Sequence, residues 1–466
     1  MVRLNRRITR IALLGSLVTI SVVLSVGHFS ALRLSAEYNE QVSKVSQGLA
    51  DYLEDFNIHF SDFFRGSSSD YGKEYGVGEM PWTEIQERLT FKEVTWKKPK
   101  KIVAENMEFY RKLLKTPIKE PKVDNLIRPP GKGQNYERAS ATFAVLVRNH
   151  ELRGLASTIR QIESTFNHKY HYPYVLLNDK PFSSTFKKSI KSLVSGEVFF
   201  EQVPQETWDV PAEIDQDKMK AAMANLKAHN VGYADKLSYH NMCRYYSGEF
   251  FNHPRMQEFK YYWRIEPNTQ YFCDIDYDVF KFMESEKKTY GFVISLYDIE
   301  RSVESLWPTT LDFVAKNPGF VHPNASFSWL TENLQNPQKT SMANGYSTCH
   351  FWSNFEIGDL DFFRGEAYQR YIDALNDAGG FYYERWGDAP VHSIGLGLFE
   401  DRSKIHWFRD IGYKHDPYEN APNSVQCPKG KKAHIPGDFS YGHLYDQNCM
   451  ANWVKYEMND QLLGVY

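Results

Sequence analysis

The sequence predicts an α/β fold: a sheet flanked by helices, in one globular domain behind an N-terminal anchor and stem. Three stretches predict it. "ATFAVLVRN" (141–149) is an apolar run turning polar at its end, the pattern of a strand buried on both faces. "ELRGLASTIRQIESTFN" (151–167) places Leu152, Leu155, Ile159, Ile162 and Phe166 on one helical face. "YPYVLLND" (172–179) is a second strand, ending in Asn178 and Asp179. Strand, helix, strand implies a right-handed crossover, parallel pairing and ligand binding at the strand C-termini.

The chain begins "MVRLNRRITR", with Arg3, Arg6, Arg7 and Arg10 and no acid. Ile11 to Val26 come next, 16 residues without a charge. As a helix they span about 24 Å, against about 27 Å for an early-secretory bilayer. The positive flank stays cytoplasmic and the chain beyond the helix faces the lumen. This reads as a cytoplasmic tail (1–10) and a signal-anchor helix (11–29). A cleaved signal peptide is the alternative, but its apolar core is usually shorter and no convincing small-x-small cleavage site precedes Leu32. Residues 30–135, with the basic, Pro/Gly-containing "TWKKPKKIVAE" and "IRPPGKGQNYERAS", read as a stem, partly helical and partly extended. The main domain occupies 136–466.

Within it, "KLSYHNMCRYYSGEFFNHP" (236–254) predicts a helix and "YYWRIEP" (261–267) a strand. "YGFVISL" (290–296) predicts another buried strand, and "AYQRYIDALNDAGG" (367–380) a helix with a Gly-Gly stop. The last 50 residues read as loops and short elements.

A formal net charge of -3 over 466 residues gives no bulk attraction to nucleic acid. Aromatic content of 15% fits a large core or a site that stacks sugars or bases, and composition by itself favours the core. Cys243, Cys273, Cys349, Cys427 and Cys449 lack CxxC spacing, which argues against a zinc ribbon or thioredoxin-like site. In an oxidising lumen the odd count predicts two bridges and one buried thiol. Cys427 and Cys449, which bracket a polar loop, are the expected pair. Asn324-Ala325-Ser326 is a glycosylation sequon, a weak signal by itself.

No GxGxxG follows the first strand, and Walker, Gly-x-Ser-x-Gly and HExxH motifs are missing. The stretch "YYWRIEPNTQYFCDIDYD" instead concentrates Glu266, Asp274, Asp276 and Asp278. Asp-x-Asp at a strand end suits a divalent metal and a phosphorylated substrate. Capping the helix that begins "YDVFKF" serves equally well by spacing. Glu266, before Pro267, is a metal ligand or an ordinary paired carboxylate. Glu356, in "FWSNFEIG", is costly in apolar company without a partner or a task. Arg364, Arg385 and Arg409 are its expected partners in a purely structural role. "ERWGDAPVHS" offers Asp388 and His392 in a tight Gly/Pro turn. "HWFRDIGYKHDPY" offers His406 and His415, and imidazole with carboxylate suits manganese.

Together "YHNMCRYYSGEFFNHP", "YYWRIEPNTQYFCDIDYDVFKFM", "HFWSNFEIGDLDFFRGEAYQRYIDAL", "GGFYYERWGDAPVHSIGL" and "HWFRDIGYKHDPY" resemble the fungal killer-toxin-resistance type α-1,2-mannosyltransferases, glycosyltransferase family 15. "HYPYVLLND" is similar to that family's early strand, and the resemblance spans about residues 139–455. It implies a GT-A-like, nucleotide-sugar-binding mixed sheet flanked by helices in a single lumenal catalytic domain. It further implies a single-pass type II Golgi membrane protein in mannoprotein biosynthesis. The implied reaction is retaining transfer of mannose from GDP-mannose, with Mn2+, to a mannose 2-hydroxyl of N- or O-linked glycans. Mannosylphosphate transfer and a non-catalytic, membrane-tethered mannan-binding subunit are the alternatives. By resemblance Glu266 and His415 ligate the metal. Glu356 is the nucleophile or the group that stabilises an oxocarbenium ion, and Tyr239 and Asp388 lie near the reacting sugar. Arg148, at the polar end of the first strand, is assigned to binding the nucleotide. Asn268 stands where an acidic residue would complete a second carboxylate ligand. Under this reading Asp274, Asp276 and Asp278 serve capping and local order.

Overall fold

A computed structural model describes residues 80–90, 99–131, 134–332, 337–427 and 447–466. The tail (1–10), the signal anchor (11–29) and the stem up to residue 79 lie outside the described residues. Among those described, no helix is long and apolar enough to cross a membrane. The described stem residues form α1 (Trp82–Leu89) and α2 (Pro99–Lys115). Ile85 and Leu89 of α1 and Met107, Tyr110 and Leu114 of α2 are buried in a core shared with the main domain. Three- and four-residue spacing puts them on one face of each helix. Packing therefore extends N-terminal to residue 136, since an amphipathic face gains from docking what an extended tether forgoes.

In chain order the strands are β1 (Ala141–Leu146), β2 (Tyr174–Asn178), β3 (Val198–Gln202), β4 (Tyr261–Arg264), β5 (Gln270–Tyr271), β6 (Tyr290–Phe292), β7 (Ser295–Tyr297), β8 (Cys349–Phe351), β9 (Glu356–Asp359), β10 (Ile405–Trp407), β11 (Tyr413–His415) and β12 (Tyr418–Asn420). The helices that shape the site are α3 (Leu152–Thr165), α4 (Leu237–Gly248), α5 (Val279–Ser285), α6 (Glu366–Ala378) and α7 (Asp388–Phe399). The central sheet runs β10-β6-β9-β4-β1-β2-β3. It is parallel except at β9, which is antiparallel to both β4 and β6. "YGFVISL" is thus two strands: β6 joins the central sheet, and β7 leaves it to pair with β8.

Alternation along the strands feeds two cores. Phe143, Val145, Trp263 and Ile357 face α3, whose Leu155, Ile159 and Ile162 are fully buried against them. Ala144, Tyr262 and Tyr290 face the opposite side with α4, α6 and α7. α6 ends at Gly379 in the left-handed region (φ 71°), the helix stop read from the Gly-Gly pair.

The cysteines pair as Cys273–Cys427 and Cys349–Cys449, with Cys243 free and buried. The expected Cys427–Cys449 pair is therefore wrong. Proximity in sequence misleads because each of these cysteines instead meets one brought alongside by the strands. Asn324 of the sequon donates through Nδ2 to Asp401 (2.7 Å), and Ser326 is buried.

Candidate active site

β1 leads through α3 to β2 on one side of the sheet, and β4 lies on its other side. The connections therefore diverge at the β1–β4 crevice, where open α/β sheets bind ligands beyond the strand C-termini. A cavity of about 340 Å³ opens there. Arg148 comes from the end of β1, Asp179 from the end of β2 and Glu266 from the end of β4; Tyr233 and Tyr239 complete the wall from before and within α4. The Tyr233 and Tyr239 rings stack at 4.9 Å and 11°, giving the cavity an aromatic flank. Arg148 donates its backbone N–H to Glu151 (2.8 Å), which shapes the first turn after β1.

Arg264, the last residue of β4, organises the floor. It is buried with its guanidinium carbon 3.5 Å above the Tyr246 ring centre. Nε and Nη2 hold Glu266 Oε1 (2.9 and 2.8 Å), and Nη1 holds Asp388 Oδ2 (2.5 Å). Nη1 is also 3.6 Å from Glu356 Oε1. One guanidinium thus faces three carboxylates. The arginines expected to pair with Glu356 do not. Arg364 donates to backbone carbonyls, Arg385 pairs with Asp298, and Arg409 donates to the Leu113 carbonyl. Register decides this: Arg264 is the cross-strand partner of Glu356.

Glu356 opens β9 and is 0% exposed. Oε2 accepts from the Tyr290 hydroxyl (3.0 Å) and sits 3.0 Å from His392 Nδ1. Oε1 accepts no hydrogen bond. Arg264 Nη1, at 3.6 Å, is an ion-pair partner too distant to donate a hydrogen bond, and a buried carboxylate oxygen without one is expensive. Asp388 and His392 are not in a tight turn. They begin α7, with Gly387 at its N-cap and Pro390 in the first turn, where a missing N–H costs nothing. Their i, i+4 spacing aims both at Arg264 and Glu356. Burial raises the Asp388 carboxyl, but the Arg264 charge, His392 and hydrogen bonds from Arg264 and Ser353 outweigh it and hold the carboxyl below its ordinary range.

Glu266 and His415 come from separate elements, the end of β4 and the end of β11. β5 pairs with β11 through Tyr271–Tyr413 and Gln270–Lys414, the residue before His415. The Thr269 hydroxyl donates to the Glu266 carbonyl (2.8 Å). Burial raises the Glu266 carboxyl against the lowering influence of Arg264. Burial lowers His415, favouring the neutral imidazole a metal requires. Trp352 stacks on the His415 ring (5.1 Å), and the Asn354 amide meets its Nδ1 at 2.9 Å. Asn268 adopts φ 66°, a conformation Asn tolerates, and its side chain fills the space that a Cβ on Gly154 would need. It is a turn residue packed on α3. Among the described residues no cluster of three or more metal-ligating side chains forms. The donor set still fits manganese: the Glu266 carboxylate and a neutral imidazole, with two further carboxylates on the same guanidinium and substrate oxygens left to complete the shell.

The "DIDYD" run is structural. Asp274 and Asp276 both pair with Lys169 (2.6 and 2.9 Å). Asp278 caps α5, accepting from the N–H groups of Phe280 and Lys281, and takes the hydroxyls of Tyr172 and Tyr136. Of the residues named from sequence, Arg148, Tyr239 and Glu266 line the cavity. Glu356 and Asp388 lie beneath it, joined through Arg264. Arg264, Tyr290 and Asn354 escaped sequence reasoning. Only Arg264 had a signal: two residues before Glu266, it follows the strand's period.

The family described as glycolipid 2-alpha-mannosyltransferase matches residues 100–458. The O-glycoside alpha-1,2-mannosyltransferase omh1 of Schizosaccharomyces pombe is 44% identical over 292 residues, 63% of this chain and 71% of its own. The crystal structure of the mannosyltransferase Ktr4p from S. cerevisiae in complex with GDP superposes with a TM-score of 0.79 at 43% identity, covering 83% of this chain and 99% of that one. Core-mannan synthase A from Aspergillus fumigatus, in a Mn/GDP form, gives 0.70 at 49% identity, over 74% and 93%.

Proposed function

The chain belongs to the glycolipid 2-alpha-mannosyltransferase family, and from that premise we propose that it is a retaining α-1,2-mannosyltransferase. It moves mannose from GDP-mannose to a mannose 2-hydroxyl of N- or O-linked glycans. The observation that carries this is the Arg264 hub, which gathers Glu266, Glu356 and Asp388 at the floor of the β1–β4 crevice.

Arg148 contacts the nucleotide at the end of β1. Glu266 and His415 would hold Mn2+, which when bound supplies positive charge against the donor diphosphate. Tyr239, stacked on Tyr233, offers a flat apolar face to a sugar. Asp388 is held ionised by Arg264 through Oδ2, which leaves Oδ1 to accept from a sugar hydroxyl. Glu356 Oε1 stabilises positive charge developing at the anomeric carbon; a close carboxylate on a retaining path serves this role in hydrolases. The Arg-flanked apolar stretch at 11–29 and the two disulfides support a type II Golgi protein with its catalytic domain in the lumen.

The test is GDP release from GDP-mannose with Mn2+ on adding an α-mannoside, with product linkage read by NMR. An α-1,2 bond is expected. Phosphorus in the product would assign mannosylphosphate transfer instead. No release with any mannoside would leave a binding module.

A further inference from the structure

His392 is fully enclosed, 0% exposed, between the rings of Phe250, Phe363 and Tyr368. Both ring nitrogens have partners. Nε2 is 2.9 Å from the Tyr246 carbonyl, which only accepts, so Nε2 carries a proton. Nδ1 is 3.0 Å from Glu356 Oε2. That oxygen also takes the Tyr290 hydroxyl. Oε1 accepts no hydrogen bond and lies 3.6 Å from Nη1 of Arg264, which in turn holds the cavity-lining Glu266.

We propose that His392 is a positioning residue: as an imidazolium it clamps Glu356 by Oε2 and so fixes the direction of Oε1, which lies beside Arg264 beneath the cavity, for its work on the reacting sugar. This rests on the reading of the chain as a transferase. The charged groups around His392 favour it. The carboxylates of Glu356 of β9 and Asp388 of its own helix face it, and the Tyr246 carbonyl of α4 accepts. Tyr262 and Arg264 of β4 and Tyr290 of β6 face the same carboxylate. Burial lowers the imidazole, but the Glu356 charge and hydrogen bond, then Asp388 and the Tyr246 carbonyl, raise it above its ordinary value. Loss of the Nδ1 proton would set a nitrogen lone pair against a carboxylate oxygen and release the clamp. Activity therefore has an alkaline limb belonging to His392. A purely structural histidine would leave no such limb.

Two measurements test this. In His392→Asn the amide can still reach Oε2, but the charge and the bond to Tyr246 are gone. The expected result is a kcat loss of about 10- to 100-fold, an unchanged KM for GDP-mannose, and an alkaline limb that disappears. Wild-type kcat with the same limb, or a raised KM at constant kcat, overturns the proposal. If the variant does not fold, neutron diffraction from wild-type crystals near pH 6.5 decides. Deuterium on both Nδ1 and Nε2 is expected. Deuterium on Nε2 alone, or on Glu356 Oε2, overturns it. Failure here with wild-type transfer intact rejects only the role of His392, whereas a wild type without transfer rejects the underlying reading.

Discussion

Arg264 and Glu356 are direct cross-strand partners in the antiparallel β4–β9 pair, and the guanidinium ends 3.6 Å from the carboxylate. Opposed residues in such a pair project to the same face. This face meets α7, which delivers Asp388 to the same guanidinium. The site is therefore built where one reversed strand interrupts a parallel sheet.

Glu356→Gln keeps the shape and the Tyr290 contact but removes the charge at Oε1. Transfer should fall by about 10²-fold or more, while GDP binding, followed calorimetrically, stays within a few-fold. Near wild-type turnover would remove Glu356 from the chemistry.

Glu266→Ala and Asp276→Ala separate metal binding from local order. The Mn2+ concentration giving half-maximal GDP binding should rise about tenfold or more in Glu266→Ala and stay unchanged in Asp276→Ala. Asp276 is committed to Lys169 on the protein surface. The reverse result would return the metal to the Asp-x-Asp motif.

Asp278→Ala removes the cap of α5 and strands the buried hydroxyl of Tyr172. Denaturant unfolding should show a loss of about 2–4 kcal/mol. Asp274→Ala, whose lost ion pair is half-exposed, should cost less than about 1 kcal/mol.

Asp410 is buried under the Tyr466 hydroxyl (2.7 Å), and burial pushes its carboxyl up to about 6 from 3.8, against the lowering influence of the Tyr466 hydrogen bond. A folded value above the unfolded one means that the folded state binds the extra proton between those values. Its stabilising contribution is complete below about pH 4 and is lost as pH rises through 6, by about 3 kcal/mol. Asp410→Asn should flatten the pH dependence of unfolding free energy across pH 4–6. An unaltered slope would show that Asp410 ionises freely.

Much of the architecture is legible in local pattern. The β1–α3–β2 unit, α4, β4 and the stop of α6 announce themselves through apolar period and glycine, because each buries its own face. The turn expected at "GDAPVHS" failed for a local reason. Gly and Pro there mark the start of a helix, not a bend, and α7 is buried all round, so it shows no amphipathic period.

By itself the sequence determined the α/β core, the family, and Glu266, Glu356, Asp388 and His415 as the residues to watch. The tertiary structure decided what joins them. Arg264 reaches its carboxylates from three elements, His392 meets Glu356 across 36 positions of sequence, and the disulfides join cysteines 154 and 100 residues apart. Those pairings depend on strand order and register, which long-range packing sets and no local spacing encodes.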